Sequence, residues 1–372
     1  MADITTPSDR IPLAHALPFW AALGLIPLTV VVAMVGGWWL LLIPAASWFL
    51  FSGLDAVLGE DRTNLSPETP GSALLWHNLV LWVWPFIQGA LLLGMLIYAP
   101  QAEHLSTLER ITLFFGIGVV TGTVGITFSH ELMHRSSRAE RWLGDILLAM
   151  VLYSHFRSEH LQVHHRHVAT PRDAVSARYG EGFPRFFLRV LPQSFRSAWE
   201  AEAQLLGRKG LPAQNPANPF WRYGVLQAGF LLLAFMLGGW SGLALFLYQA
   251  FIAIWQLELV NYVEHYGLQR KHLGEAKYEP VRPHHSWNAT QKASNWLLIN
   301  LQRHSDHHVK PARPFPLLQS LDTDEAPELP YGYPVMTMLA MVPPVWRRVM
   351  NPRVRAWRAK YYPEIEDWRA QP

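Results

Sequence analysis

Apolar residues in this chain gather into runs of membrane-crossing length instead of alternating or repeating along one helix face. Spanning a bilayer core takes about 20 mostly apolar residues in a helix. Residues 17–35, 38–58, 74–99, 108–128 and 243–260 meet or approach that length. A shorter run at 225–237 approaches it once flanking tryptophan and glycine extend it to about 222–240. The pattern predicts an all-α membrane protein with about six transmembrane helices. Only Gly36 and Gly37 part the first two runs, so these form a tight helical hairpin. Pro85 predicts a kink in the third, tolerable in a membrane helix. Residues 143–153 are too few to span and read either as a buried helix or as a re-entrant or interfacial one. Proline-rich 311–316 and 327–334 read as rigid connectors, and 335–345 as another interfacial apolar segment. With no internal repeat, the chain reads as a single domain, 1–372.

Basic residues orient the bundle. Six spans put both termini on one side and leave Gly36–Gly37, residues 100–107 and residues 238–242 on the other, and those three loops hold no lysine or arginine. The segment from Arg135 to Arg222 holds thirteen. Because positive loops stay inside, residues 129–221, residues 261–372 and both termini are expected in the cytoplasm. The start of the chain mixes Asp3, Asp9 and Arg10 with prolines and lacks a basic-then-apolar layout, so no cleaved leader is expected.

Composition narrows the chemistry. Half the residues are hydrophobic and 16% are charged, against about a quarter charged in soluble domains. There is no cysteine, which excludes disulfides, thiolate zinc sites and a fused cysteine-ligated electron carrier. Any electrons must come from another protein. Nothing points to nucleic acid.

Seventeen histidines remain, and nine fall in four tight clusters just past apolar runs. These are His130 and His134; His160, His164 and His165; His265; and His304, His307 and His308. Residues three or four apart share a helix face, so His130 pairs with His134, His160 with His164, and His304 with His307 and His308. Adjacent residues diverge by about 100°, so of each doubled pair one imidazole can close a metal with its neighbour while the other reaches a second metal. Nine imidazoles suit two metals better than one tetrahedral zinc, which takes four ligands. His265 stands alone, and spacing leaves its role open. The other eight, His167 among them, read as ordinary polar residues. Glu131, Glu159, Glu258, Glu264 and Asp306 are placed to orient ligand N–H groups; Glu258 also lies inside an apolar run, where a carboxylate is costly unless paired. Asp173 could likewise orient a ligand N–H, with solvated surface as the alternative.

The arrangement HxxxH, HxxxHH, HxxHH after apolar helices resembles the membrane di-iron desaturases and hydroxylases. Within them it is closest to the alkane 1-monooxygenase family, through the stretches at residues 54–61, 130–135, 159–171 and 283–288, the sequence Asn-Tyr-Val-Glu-His-Tyr-Gly at 261–267, and residues 301–308. The resemblance covers about residues 20–360. It implies two non-haem irons held by all nine histidines and O2 as co-substrate. It further implies hydroxylation of a terminal methyl of a medium-chain alkane, and electrons from rubredoxin reduced by an NAD(P)H-dependent reductase. It also implies a bacterial inner-membrane location. Two residues depart from the family pattern: Val163 where glycine is usual, and Ala174 in place of a common proline. The helix ending at Leu54–Asp55 resembles the one whose bulky side chains limit alkane length, which makes Ser47 or Trp48 the gate by position; for Trp48 the alternative is an interfacial or packing role. Three other readings stay open: a xylene-type methyl hydroxylase, a fatty acyl desaturase and, from a different class, a divalent-metal transporter.

Overall fold

A computed structural model describes residues 10–368. Most of the opening segment that argues against a cleaved leader, residues 1–9, lies outside the described residues. The helices are α1 (Leu13–Val35), α2 (Gly37–Leu58), α3 (Gly71–Gln101) and α4 (Thr107–Met133). After them come α5 (Arg138–Met150), a short helical stretch α6 at residues 156–167, α7 (Phe183–Gly207) and α8 (Pro219–His265). The chain continues through α9 (Lys292–Leu297), α10 (His304–Val309), α11 (Tyr333–Ala340) and α12 (Pro343–Tyr361). The only strands among the described residues form a small antiparallel hairpin, β1 (His272–Gly274) with β2 (Lys277–Tyr278). Helices α1–α4 and α8 are long and apolar enough to cross a membrane, and the protein is an integral membrane protein.

Helix α8 is one element folded back on itself. Gly239 adopts φ 60° and ψ −153°, outside helical geometry. Across that break the rings of Phe230 and Phe246 stack with centroids 6.5 Å apart, whereas sixteen residues of straight helix would separate them by about 24 Å. The apolar runs at 222–240 and 243–260 are the two arms of this hairpin.

The turns without lysine or arginine gather at one end. The Gly37 N–H donates to Glu109 Oε1 at 2.6 Å, and Glu109 closes a capping box with Ser106 at the start of α4. A side chain at Gly238 would meet the Leu96 carbonyl at 2.8 Å. Glycine also sets the core. A Cβ at Gly118 would lie 2.6 Å from Ile252 Cβ, and one at Gly122 would lie 2.8 Å from the Ala253 carbonyl. Small residues thus bring α4 and the second arm of α8 into backbone contact, as helices do in lipid. That contact aligns the ends of α4 and α8, where His130, His134 and His265 sit.

Helix α5 resolves the short run near residue 150 as a buried helix. Leu147, Leu148 and Met150 are sequestered, and Ser129 Oγ on α4 donates to the Gly144 carbonyl at 2.9 Å. The segment at 335–345 differs from expectation in part. Met336, Thr337 and Ala340 are buried in the core, while Val342 and Val345 are exposed.

Candidate metal centre

All nine clustered histidines converge from four elements at the end of the bundle away from the charge-free turns. His130 and His134 end α4, His160, His164 and His165 lie on α6, His265 ends α8, and His304, His307 and His308 form α10. All are buried except His134 and His165, which are half-buried. They form two groups. In one, the nitrogens of His130, His134, His160 and His307 lie within 4.8 Å of one another, and His165 Nε2 joins them at 2.9 Å from His160 Nε2 and 3.3 Å from His134 Nε2. In the other, His164, His265, His304 and His308 do the same, with Nε2–Nε2 distances of 3.2 Å (His164–His308), 3.0 Å (His308–His304) and 3.1 Å (His304–His265). Each doubled pair is divided: His164 and His308 belong to one group, His165 and His307 to the other.

The α6 stretch departs from the simple helical spacing. Residues 160–164 are π-helical, and the His165 N–H bonds the His160 carbonyl, five residues back. In an α-helix residues five apart point about 140° away from each other. The π turn, a frequent functional-site irregularity, puts His165 beside His160 and leaves His164 for the second group. His160 and His164 are therefore divided, although spacing pairs them. Val163 is buried inside this turn.

The donor set fits metal. Burial lowers the His134 pKa to about 4 and holds His160, His165, His304, His307 and His308 well below the ordinary imidazole range, with neighbouring imidazoles adding to the effect. Neutral rings carry one lone pair each, and here they aim at shared points. Two nitrogens bound at about 2.1 Å and near right angles stand about 3.0 Å apart, which matches the spacings above. His130 Nε2 and His307 Nε2 are buried without a hydrogen-bond partner. Such atoms are costly unless something binds them. Nitrogen-only donors suit iron, copper, zinc and nickel alike.

The acidic neighbours behave differently from one another. Glu131 pairs with Arg135 at 2.7 Å and accepts from the Phe315 N–H at 3.1 Å. Asp306 takes Arg313 on both oxygens and the Gln319 N–H. Glu258 accepts from the Tyr153 hydroxyl at 2.8 Å and from Asn261 Nδ2 at 3.1 Å. None of these three bonds a ligand imidazole. Glu264 Oε2 lies 3.4 Å from His304 Nε2, and its Oε1 has no partner. Both Glu159 oxygens are buried without partners; burial, with Asp173 and Glu258 nearby, pushes this carboxyl well above the usual range. The carboxylate that does bond a clustered imidazole is Asp173, whose sequence reading left an orienting role and a solvated surface both open. It is 3% exposed, and its Oδ2 accepts from His164 Nδ1 at 3.0 Å and from Ser176 Oγ at 2.7 Å. Burial opposes its charge, but His164 and Ser176 hold its pKa below the ordinary value. It lies nine residues after His164, in a turn where its N–H bonds the Thr170 carbonyl at 3.1 Å.

The remaining histidines stay outside both groups. His15 bonds His77 at 3.1 Å, and His284 and His285 bond the Tyr362 hydroxyl at 3.0 and 2.7 Å.

A narrow cavity of about 20 Å³ touches the histidines. His130, His160, His304, Asn261 and Glu264 form its polar end, and Ile126, Phe156, Leu257, Val260 and Leu301 its apolar walls. Ser47 and Trp48 do not line it. Ser47 is buried with its hydroxyl on the Ile43 carbonyl, and Trp48 packs edge-on against Phe115 and Trp255.

Comparison with known proteins agrees with this architecture. A fatty acid desaturase family profile matches residues 110–340. The chain is 40% identical over 327 residues to alkane 1-monooxygenase 2 of Pseudomonas aeruginosa, covering 86% of this chain and 85% of that protein. It is 36% identical over 349 residues to alkane 1-monooxygenase 2 of Alcanivorax borkumensis, covering 92% and 90%. The hydroxylase component of a xylene/toluene monooxygenase from Pseudomonas putida matches at 27% over 345 residues. At these identities, over nearly the whole of both chains, the protein belongs to the alkane 1-monooxygenase family.

Proposed function

We propose that this protein hydroxylates the terminal methyl group of medium-chain n-alkanes to 1-alkanols, with two non-haem irons, O2, and electrons from rubredoxin that an NAD(P)H-dependent reductase keeps reduced. One observation carries this reading: nine imidazoles meet in two groups beside a cavity with apolar walls. A terminal C–H bond is too strong for acid–base chemistry, and iron in these groups would supply the activation of O2.

The chain's own residues do the rest. His130, His134, His160, His165 and His307 hold one metal, and His164, His265, His304 and His308 the other, with Asp173 fixing the His164 ring through its Nδ1–H. Ile126, Phe156, Leu257, Val260 and Leu301 take the hydrocarbon end and exclude water from the histidines. The cavity is about one to two waters in size, so an alkane enters only as these side chains shift. Ser47 and Trp48 act further out, where Trp48 meets Phe115 and Trp255 on the neighbouring spans, and there they limit chain length.

The two arms of α8 each cross the bilayer, giving six crossings, and the histidine end faces the cytoplasm of a bacterial inner membrane. The charge-free turns at the opposite end support this orientation. The lower identity to the xylene/toluene component, 27% against 36–40%, favours alkanes over aromatic methyl groups. The test is metal analysis of the detergent-purified protein, then product identification with octane, xylene and an acyl thioester in the presence of a rubredoxin and its reductase. Two irons per chain and 1-octanol are expected. A desaturated acyl product, or metal that leaves without O2 turnover, overturns the assignment.

A further inference from the structure

Glu258 sits in the second arm of α8, is 1% exposed, and bonds no ligand imidazole. A carboxyl in that position is costly, so its partners define its use. Its Oε1 accepts from the Tyr153 hydroxyl at 2.8 Å, and its Oε2 accepts from Asn261 Nδ2 at 3.1 Å. Asn261 is itself in the wall of the histidine-lined cavity. On the far side, buried Ser194 of α7 faces the Tyr153 hydroxyl. One helical turn on, Ser197 donates to the Ser194 carbonyl at 3.2 Å and lines a cavity of about 400 Å³ at the surface. Tyr153, Glu258 and Asn261 thus form a hydrogen-bonded line to the histidines through a region otherwise packed with Ile126, Leu148, Val151, Phe156 and Leu257, while the buried Ser194 hydroxyl makes no hydrogen bond and stands between that line and the surface cavity.

The reaction needs such a line. Inserting one oxygen of O2 into a C–H bond breaks that bond and the O–O bond, and forms the C–O and O–H bonds of the alcohol. The second oxygen leaves as water, taking two electrons from the reduced carrier protein and two protons. The apolar walls that admit an alkane keep bulk water from delivering those protons. We propose that Glu258, backed by Tyr153, is the carboxyl through which protons reach the cavity, an inference that rests on the monooxygenase reading above. Each proton leaves the carboxyl on the Asn261 side, carried on by the water that each turnover forms in the cavity. The carboxylate is then reprotonated by the Tyr153 hydroxyl, which regains its proton from the Ser194 side. Burial, with Glu258 alongside, raises the Tyr153 hydroxyl well above the phenol range, so a free tyrosinate is disfavoured and the hydroxyl passes its proton to Glu258 only as another proton arrives on its far side. The other charged or titratable groups facing Glu258 are Asp173, His164 and Glu159. Asn261 acts as a positioning residue, holding the second carboxyl oxygen at the cavity wall.

The test compares wild type with Glu258→Gln, Glu258→Asp and Tyr153→Phe, measuring metal content, thermal unfolding, O2 uptake, peroxide and alcohol. Positioned proton transfer contributes about 10²-fold or more. Glu258→Gln should therefore keep metal and fold but lose about a hundredfold in alcohol formation, with most O2 consumed released as peroxide and a larger solvent deuterium effect. Tyr153→Phe should move the same way less far, and Glu258→Asp should recover part of the coupling. A metallated Glu258→Gln with wild-type coupling and isotope effect overturns the relay alone. Loss of metal or fold in Glu258→Gln together with a fully coupled Tyr153→Phe also overturns it. A metallated wild type that makes no oxygenated product overturns the monooxygenase reading and the relay with it.

Discussion

His164 and His307 belong to opposite groups, although both groups draw on α6 and α10. Each of His164→Ala and His307→Ala should abolish hydroxylation and lose about one metal per chain, while leaving membrane insertion intact. Metal-edge absorption on the purified variants checks this, and a fully metallated, active His307→Ala removes that residue from the ligand set. Asp173→Asn keeps the side-chain shape but weakens the bond to His164 Nδ1. Loss of such an outer partner typically costs about 10–100-fold in metal affinity, measurable by chelator competition. His155 offers a test independent of the metal. Burial alone lowers its pKa to about 4, so the unfolded chain binds the proton first. Its contribution to stability is complete above about pH 6.5 and is lost as pH falls toward 4. The drop from 6.5 to about 4 corresponds to about 3 kcal/mol. His155→Gln should flatten the fall in detergent unfolding temperature over that pH range; an unchanged acid profile sinks the assignment.

At the level of the helix, backbone contact between α4 and the second arm of α8 sets where two of the four ligand-bearing ends meet. Gly122→Val places branched carbons against the Ala253 carbonyl and Gln256, and overpacking of this kind costs about 1–3 kcal/mol. The variant should unfold at lower temperature and bind metal less tightly, both read on the purified protein. Leu257→Ala opens the cavity wall one turn from Asn261, and alkanes with bulkier or longer tails should gain in relative rate. Equal product ratios across a hexane-to-hexadecane mixture would place the hydrocarbon path elsewhere. The apolar runs and the histidine spacing made these helices legible before any coordinates. What they did not reveal was local. The π turn at residues 160–164 hangs on a single hydrogen-bond shift, and hydrophobic period does not register it. Gly239 read as a loop between spans, yet one residue there reverses the chain. Asp173 stayed between an orienting and a surface role because sequence spacing does not show its burial beside His164 and Ser176.

For the molecule as a whole, the charge asymmetry is clear in sequence, but its division of labour is not. Of the arginines near the histidine end, Arg135 is bound to Glu131, Arg313 to Asp306, and Arg303 to the Leu318 and Thr63 carbonyls. Arg166, Arg172 and Arg178 are exposed instead. An acidic electron carrier should therefore meet the latter three. Charge reversal at Arg166, Arg172 and Arg178 should raise the rubredoxin concentration needed for half-maximal reduction. Salt should slow the wild type more than the reversals, because the screening length shortens from about 10 Å at 0.1 M to about 3 Å at 1 M. Identical salt curves for wild type and reversals would limit these arginines to topology and lipid headgroups.

Both metal groups draw on the last histidine cluster, one through His307 and the other through His304 and His308. During synthesis, neither site is complete until residue 308 has been made, long after the first four hydrophobic helices are available for insertion. Metal capture would thus be a late event on a chain already in the bilayer, and no chain short of His308 would offer a finished site for the wrong ion to occupy. A chain ended before His304 should insert normally yet retain no metal through chelation, whereas one ended just after α10 should hold some of both.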